Sequence, residues 1–494
     1  MSSCSGRVRR VIAAGWIGAI LLGGGTSAVL AQPADPSGAA PGEPPAVGGK
    51  ATNAGVGQVS SQEVNQPLVP VQGPAPETHL FGDWDGFRTR LDNLGIHLSM
   101  DYITESAGVV AGGIRHGVDY AHQIGIEADI DWERLAGIAG LTTHTVIVNR
   151  AGRNASADYV GDTVIQAQEI FGAGFDQAVN LVEFYAEESL QHDRINLAAG
   201  RFFQGADFAA SPLYCNFMTL TICGHPRALT AEQDFVDWPR SVWGARARFR
   251  PTTDTYVMAG VYQSQPFPTS TENYTQGGYS GFNWTFRGTT GVSVPVELAY
   301  EPVIGRDQLP GHYKVGMTWD TSSFPDNYAD AAGGSFVLSG LPPRSDKGRA
   351  QIWVTFDQMV VRTGRYQNDG LILLAAYAHD DPQTSLFRNF VWLGMLYSGF
   401  WPSRHSDQIG FAYTYYDVSD QLTATEELQA SLGDPLEGGA RGVQSHASVF
   451  ELNYNLPLYR GVQVQPELEY FIRPGGTHAV PNAFLLGLKT HVSF

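Results

Sequence analysis

The sequence predicts an all-β chain: a transmembrane antiparallel β-barrel of about 16 strands, with short turns on one rim and long loops on the other. Three observations predict it. Short segments along most of the chain alternate apolar and polar residues with period two. The links between them alternate short and long. The last segment, Asn482 to Phe494, sets Phe484, Leu486, Leu488, Val492 and Phe494 on one parity and Gly487, Lys489, His491 and Ser493 on the other. Side chains alternate across a strand, so this segment has one apolar and one polar face, with Leu485 the exception.

Taken from the start, residues 1–31 read as a secretory signal. Arg7, Arg9 and Arg10 form its basic region, Val11 to Leu22 its apolar core, and Val29-Leu30-Ala31 its cleavage site. The apolar core is too short and glycine-rich to anchor a membrane, and no later run is long enough for a spanning helix. Losing the signal removes three Arg and no acid, so the formal charge of −18 becomes −21. That charge excludes nucleic acid as a partner. Residues 32–79 are rich in Pro, Gly, Ala and Ser with almost no aromatics, the composition of a flexible segment. The barrel unit is residues 80–494. It opens on a short helix over 80–95, with Leu80, Phe87 and Leu91 on one face and Gly95 as its stop.

Strand-like segments begin near Ile96, Tyr120, Gly140, Asn180, Arg194, Val242, Thr255, Thr290, Gly311, Ala350, Asp369, Arg388, His405, Ser445, Gly461 and Asn482. In the second, Ile124, Ile126, Ala128, Ile130 and Trp132 oppose Gln123, Glu127, Asp129 and Asp131. In the eighth, Val292, Val294, Val296, Leu298 and Tyr300 oppose Ser293, Glu297 and Glu301; the fifteenth sets Val462, Val464, Leu468, Tyr470 and Ile472 against Gln463, Gln465, Glu467 and Glu469. The seventh, eleventh and twelfth alternate poorly. Links after even-numbered strands are short: Leu135–Ala139, Gln191–Asp193, Pro251–Asp254 and Leu458–Arg460. After most odd-numbered strands they are long: Gly152–Val179, Phe203–Ser241, Gln265–Thr289, Asp320–Arg349 and Val418–Gln444. A soluble β-sandwich accounts for the strands but not for this asymmetry.

With the apolar parity on lipid, the other parity lines a wet lumen. It carries Glu127, Asp129, Asp131, Glu183, Glu187, Glu297, Glu301, Asp357, Glu451, Glu467 and Glu469. Against them stands a basic ladder in VWGARARFRP, where Arg246, Arg248 and Arg250 oppose Trp243, Ala245, Ala247 and Phe249. An Arg at mid-membrane on the lipid face costs about 2–4 kcal/mol, so the ladder points inward. Lys314, Lys489 and His491 add basic points. Facing arginines and carboxylates offer donors and acceptors to a neutral polyhydroxylated solute, and the lumen-parity Tyr185, Trp353 and Tyr416 are candidates to cover its apolar face. The alternative is that these charges brace the wall.

The loop Phe203–Ser241 holds Phe208, Phe217, Phe235 and Trp238, more aromatics than a tether needs, and is expected to fold into the mouth. Cys215 and Cys223 within it suggest a disulfide in an exported chain; a metal site needs further ligands, and only His225 is near. Arg201 has the parity of Ile195 and Leu197, which points it at lipid unless a bulge turns it.

In LFGDWDGFRTRLDNLGIHLSMDYITE and AGGIRHGVDYAHQIGIEADIDWERLAG, and again in LAAGRFFQGADF, LYCNFMTLTICGHP and VQVQPELEYFIRPGG with LLGLKTHVSF, the chain resembles the carbohydrate-selective porins of the OprB type. The resemblance implies a sixteen-stranded outer-membrane barrel admitting glucose and related sugars by facilitated diffusion, its pore lined by arginines and acids, with Arg246 to Arg248 the matching stretch. The implied partners are small neutral carbohydrates, outer-membrane lipid and, through Phe494, the barrel assembly machinery. A homo-oligomer is compatible, although no interface strand is identifiable. No cofactor is implied. A porin for anions or sugar acids is the alternative, and a barrel enzyme or an adhesive barrel the remaining ones. The chain holds no G-x-S-x-G or H-E-x-x-H to support catalysis.

Overall fold

A computed structural model describes residues 79–162, 164–170, 179–231, 235–265, 286, 288–364 and 369–494. The expected signal and nearly all of the Pro- and Gly-rich segment lie outside them. Strands β1 (Ile96–Ala111), β2 (Gly117–Asp131), β3 (Leu141–Gly152), β4 (Asn180–Leu190), β5 (Ile195–Phe202), β6 (Val242–Thr252), β7 (Thr255–Ser264) and β8 (Gly291–Tyr300) form the first half of the wall. After the two-residue β9 (Val303–Ile304) come β10 (Leu309–Asp330), β11 (Pro343–Arg362), β12 (Gly370–Asp380), β13 (Phe387–Ser398), β14 (Gln408–Val418), β15 (His446–Tyr459), β16 (Val462–Ile472) and β17 (Ala483–Ser493).

Each wall strand pairs antiparallel with its neighbours, β10 with β8 across the small β9. β1 pairs with β17, with Thr104 opposite Thr490 and Glu105 opposite Lys489. The sheet is therefore closed into 16 staves, and no edge strand presents bare backbone to lipid. The expected strand starts fall within a few residues of the observed ones, except at β11.

Burial is inverted relative to a soluble protein. Ile126, Val296, Leu298, Val315, Val354, Leu452 and Leu486 are exposed on the outside, whereas Gln123, Glu183, Arg246, Glu297 and Glu467 are buried inside. This is the period-two pattern laid between lipid and a filled lumen. Toward the short-turn rim, Tyr300 stacks on Tyr313 at 6.3 Å and Tyr313 on Phe356 at 6.1 Å, an amphipathic ring at membrane-interface level.

One expected loop needs correction. Asp320–Arg349 is not a loop, because β10 and β11 run on past the wall as a hairpin capped by the helix Phe336–Ser339. Pro325, Asp326 and Asn327 are residue types common in turns, but an ion pair across the hairpin holds it: Arg344 meets Asp326 at 2.7 Å, and Asp346 on the same strand steadies the guanidinium at 2.8 Å. The helix Asp420–Leu432, inside the expected loop Val418–Gln444, braces it by donating Thr425 Oγ1 to the Asn327 carbonyl at 2.6 Å. The poor alternation of β12 also has a cause. Its inward Ile372, Leu374, Ala376 and Ala378 are buried in an apolar cluster inside the barrel, so both faces are apolar.

The N-terminal helix is Phe87–Asn93, and Leu80 precedes it rather than sharing its face. Gly95 ends the segment at φ +85°, where a Cβ would lie 2.6 Å from the Asp131 carbonyl. Arg88 gives the segment its purpose. Buried, and seated over Trp84 at 4.5 Å, it donates to the Leu98 carbonyl at 3.0 Å and to the Phe494 carbonyl. Phe81 packs on Phe494 at 5.4 Å, and the Leu80 amide donates to the Ser493 carbonyl at 2.8 Å. The segment thus staples β1 to β17 at the short-turn rim. Arg88→Ala removes two charge-assisted hydrogen bonds of about 1.5–3 kcal/mol each. The expected outcome is a barrel that still assembles but unfolds at lower temperature on a semi-native gel; an unchanged melting profile would remove the staple.

Candidate functional site

The site begins with the link after β5. Phe203–Ser241 turns into the barrel and crosses it, fastened to many parts of the wall. On β8, Glu297 accepts from the Ala209 amide at 2.8 Å. Lys314 on β10 donates to the Ala210 carbonyl at 2.6 Å, and Ser211 meets Asp357 on β11 at 3.3 Å. Glu451 on β15 accepts from the amides of Met218 at 2.8 Å and Thr219 at 3.1 Å. Asn453 and Gln465 both donate to the Asn216 carbonyl at 3.0 Å, and Trp238 donates to Gln123 on β2 at 2.8 Å. Phe203, Phe208, Tyr214, Phe217, Met218 and Phe235 are almost completely buried among inward wall side chains such as Trp353 and Trp392. The expectation of an ordered loop folded into the mouth holds, and its aromatics serve as its core.

The link after β3 also turns inward. Glu169 meets Arg150 at 3.3 Å, Ile170 N–H donates to Glu105 at 2.8 Å, and the Leu220 amide donates to the Gln166 carbonyl at 2.9 Å. The two inward segments therefore touch each other as well as the wall.

This divides the predicted lumen residues into two sets. Glu297, Lys314, Asp357 and Glu451 anchor the loop. Trp353 and Tyr416 are fully buried, Trp353 donating to Glu297 at 2.8 Å and Tyr416 packed on Phe387 at 5.1 Å. Tyr185 is stacked between His144 at 4.6 Å and Phe202 at 4.9 Å. These three rings are covered by protein rather than offered to a solute, which corrects the expectation. Glu183 is buried too, neither carboxylate oxygen having a hydrogen-bond partner.

The second set is partly open. Asp129 binds His144 at 2.7 Å. Arg246 bridges Glu187 at 2.7 Å and Asp207 at 3.0 Å and also donates to Asn196. Arg248 meets Asp193 at 3.0 Å, and Arg250 meets Glu301 at 2.8 Å while lying over Tyr256 at 5.2 Å. His312 binds the second oxygen of Asp357 at 2.6 Å. Side-chain exposure is 28% for Asp129, 25% for Glu187 and 22% for Glu301, so these carboxylates retain open acceptor positions. Glu127 lies on the same face, half-buried, and Asp131 caps the helix Trp132–Ala136 at the turn. The arrangement is a belt of acid–base pairs with fixed donors and acceptors.

Arg201 has the outward parity, opposite Phe184 and Trp243, yet only 5% of it is exposed. It is covered rather than lipid-facing. Gly200 beside it has φ +150°, and a Cβ there would lie 2.5 Å from the Tyr185 Cα, so the strand is pressed tightly to β4. Cys215 and Cys223 are both thiols in the structure, so the expected bridge is not formed there, although they lie close enough to interact. His225 pairs with Asp237 at 3.1 Å rather than completing a metal site. Burial raises the Asp237 carboxyl, but the facing His225, with Arg240 and Arg227, more than offsets it and holds the carboxyl below its usual range. Sequence reasoning missed Asn196, Asp193, Asp207, His144 and His312 as partners. Asp193 and Asp207 lie outside the strands, where parity carries no signal.

The comparisons with known proteins agree with this geometry. Residues 115–494 match the family described as carbohydrate-selective porin, OprB family. Porin B of Pseudomonas aeruginosa is 29% identical over 437 residues, spanning 84% of this chain and 91% of that protein. The putative porin QuiX of Acinetobacter baylyi is 25% identical over 427 residues, spanning 84% and 93%. The high-pH structure of Pseudomonas putida OprB superposes with a TM-score of 0.77 at 29% identity, covering 85% of this chain and 99% of that one. The loop-crossed lumen and the closed wall are thus those of a channel, and the chain belongs to the OprB family of carbohydrate-selective porins of the bacterial outer membrane.

Proposed function

We propose that the channel passes glucose and related monosaccharides, and that the belt of acid–base pairs on β2 to β11 is where the solute exchanges water for protein partners. The observation that carries this is the matching of the arginine ladder. Arg246, Arg248 and Arg250 each have a carboxylate within 3.0 Å or closer, so the belt offers hydrogen bonds without a strong positive field. A neutral polyol gains from such a surface, whereas an anion meets the carboxylates as well as the guanidinium groups. The same matching weighs against an anion or sugar-acid porin. Membership of a channel family supports a non-catalytic reading, and ester turnover by the pure protein would overturn it.

The reading extends to residues the structure does not describe. Residues 1–31 act as the export signal, and residues 32–79, of which the structure describes His79 alone, are a Pro/Gly/Ala-rich periplasmic segment. Lipid covers the apolar wall, the assembly machinery reads Phe494, and a further copy of the chain is a partner to be sought by cross-linking in intact outer membranes. A single-chain band alone would remove that last partner.

In liposomes the protein should let glucose equilibrate faster than a sugar acid of similar size; absence of sugar-dependent swelling overturns the transport reading. Changing Arg246 and Arg248 together to Ala deletes donors from the belt, leaves Glu187 and Asp207 without their cation and leaves Asp193 with Arg250 alone at 4.0 Å. The expected result is sugar block of single-channel current weakened by on the order of tenfold, about one charged hydrogen bond, with reversal potential shifted toward cation selectivity. Parent-like block would assign the ladder to bracing alone. Cys215 and Cys223 are proposed to be oxidised to a disulfide in the exported protein by a periplasmic disulfide donor, which is reduced to its dithiol as it takes up the two electrons and two protons. The intact mass should then be lower by two hydrogens before reduction than after it; identical masses remove the bridge.

A further inference from the structure

Lys489 sits on β17, the strand opposite Glu105 of β1, and its inward side chain is only 4% exposed. An ammonium group has three donors and is costly to bury unless every one is used. Its surroundings use them. Nζ lies 3.5 Å from Glu105 Oε1 on the wall and 3.3 Å from Glu169 Oε2 on the segment after β3. It also donates to the carbonyls of Cys215 at 3.4 Å and Phe217 at 3.2 Å, both on the segment after β5. One cation thus joins the barrel seam to both inward segments.

The neighbouring contacts converge on the same point. Glu169 is held in turn by Arg150 of β3 at 3.3 Å, and Glu105 accepts the Ile170 amide at 2.8 Å. Two residues before Lys489, Gly487 lets Met218 press on the strand, since a Cβ there would lie 2.5 Å from Met218 Cε. The other loop anchors named above, such as Glu297 and Glu451, each reach only one of the two inward segments. Lys489 binds three parts of the chain that are distant in sequence, and no single backbone hydrogen bond does the same.

We propose that Lys489 is a positioning residue that sets the bore, acting as the common fastening of the two inward segments rather than as a contact for the solute. Without it, Glu105 and Glu169 face each other across a site with one cation fewer, and the carbonyls of Cys215 and Phe217 lose their shared donor. Both segments then loosen from the β17–β1 side of the lumen while the sixteen-stave ladder is untouched.

The test uses the full chain in planar bilayers and liposomes. Lys489→Met should still give the compact, heat-modifiable barrel band. It should show a higher and noisier single-channel conductance and lose discrimination between a monosaccharide and a larger oligosaccharide. Trypsin added to the folded protein should also cut the freed segment at Arg227 or Arg240. Where Lys489→Met fails to assemble, Glu169→Gln serves instead. It keeps the lysine, Glu105 and both carbonyls and weakens only the hold on the segment after β3, so a smaller rise in conductance is expected while Arg227 and Arg240 stay resistant to trypsin. Parent-like conductance, size cut-off and trypsin resistance in the assembled variant overturn the proposal. The proposal rests on the sugar-channel reading only for the oligosaccharide arm. Ion conductance and trypsin cleavage report on the fastening even if no sugar passes, so the two failures are distinguishable.

Discussion

Everything in this molecule follows from the pairing of β1 with β17. Backbone N–H and C=O groups in hydrocarbon have no water to bond, so a sheet survives there only when its first and last strands satisfy each other. Once closed, the wall has two environments separated by one side-chain step. Ile126 and Val296 go to lipid, and Gln123 and Glu297 go inward. The short N-terminal segment is fitted to the same constraint, with Arg88 holding the carbonyls of Leu98 and Phe494 at the rim where the seam ends. The inward turn of the segments after β3 and β5 then fills the space that closure creates.

Filling a lumen is a different problem from building its wall. A segment lying across a barrel has backbone amides and carbonyls that no ladder can pair, so each must find a wall side chain. That explains why so many inward carboxylates accept from main-chain N–H groups: Glu297 from Ala209, Glu451 from Met218 and Thr219, Glu105 from Ile170. The acidic excess of the chain is in part a supply of acceptors for the inward segments. What remains for a solute is the subset paired side chain to side chain, from Asp129 and His144 to Arg250 and Glu301.

The wall was legible in the sequence because its rule is local. Parity at Ile124 or Val294 is decided by immediate neighbours, and the start of each strand follows from where parity begins. The rule failed where the partner of a side chain is not a near neighbour. The inward Ile372, Leu374 and Ala376 of β12 look misplaced until the aromatic loop is packed inside. Trp353 and Tyr416 have lumen parity and yet are closed over, because parity says inward but not what lies inward. The β10–β11 hairpin carries Pro325 and Asp326, residue types common in turns. Arg344, eighteen residues from Asp326, supplies the pairing that keeps them extended.

The terminal strand shows how the two rules meet in one element. Its outward residues, Leu486 and Leu488, obey parity alone and need nothing beyond lipid. Its inward residues are read differently once the segments are in place. His491 pairs with Asp101 of β1 at 2.6 Å, across the seam itself. Lys489, one step further along the same face, reaches the segments after β3 and β5. Alternation makes both lumen-facing and says nothing of that difference. It arises because the two segments cross at the height of Lys489, where a long, flexible cation can collect a carboxylate from one and carbonyls from the other. The strand that closes the wall is therefore also one that holds both inward segments. Closure of the sheet and a fastening shared by both inward segments thus meet in the same eleven residues, Ala483–Ser493.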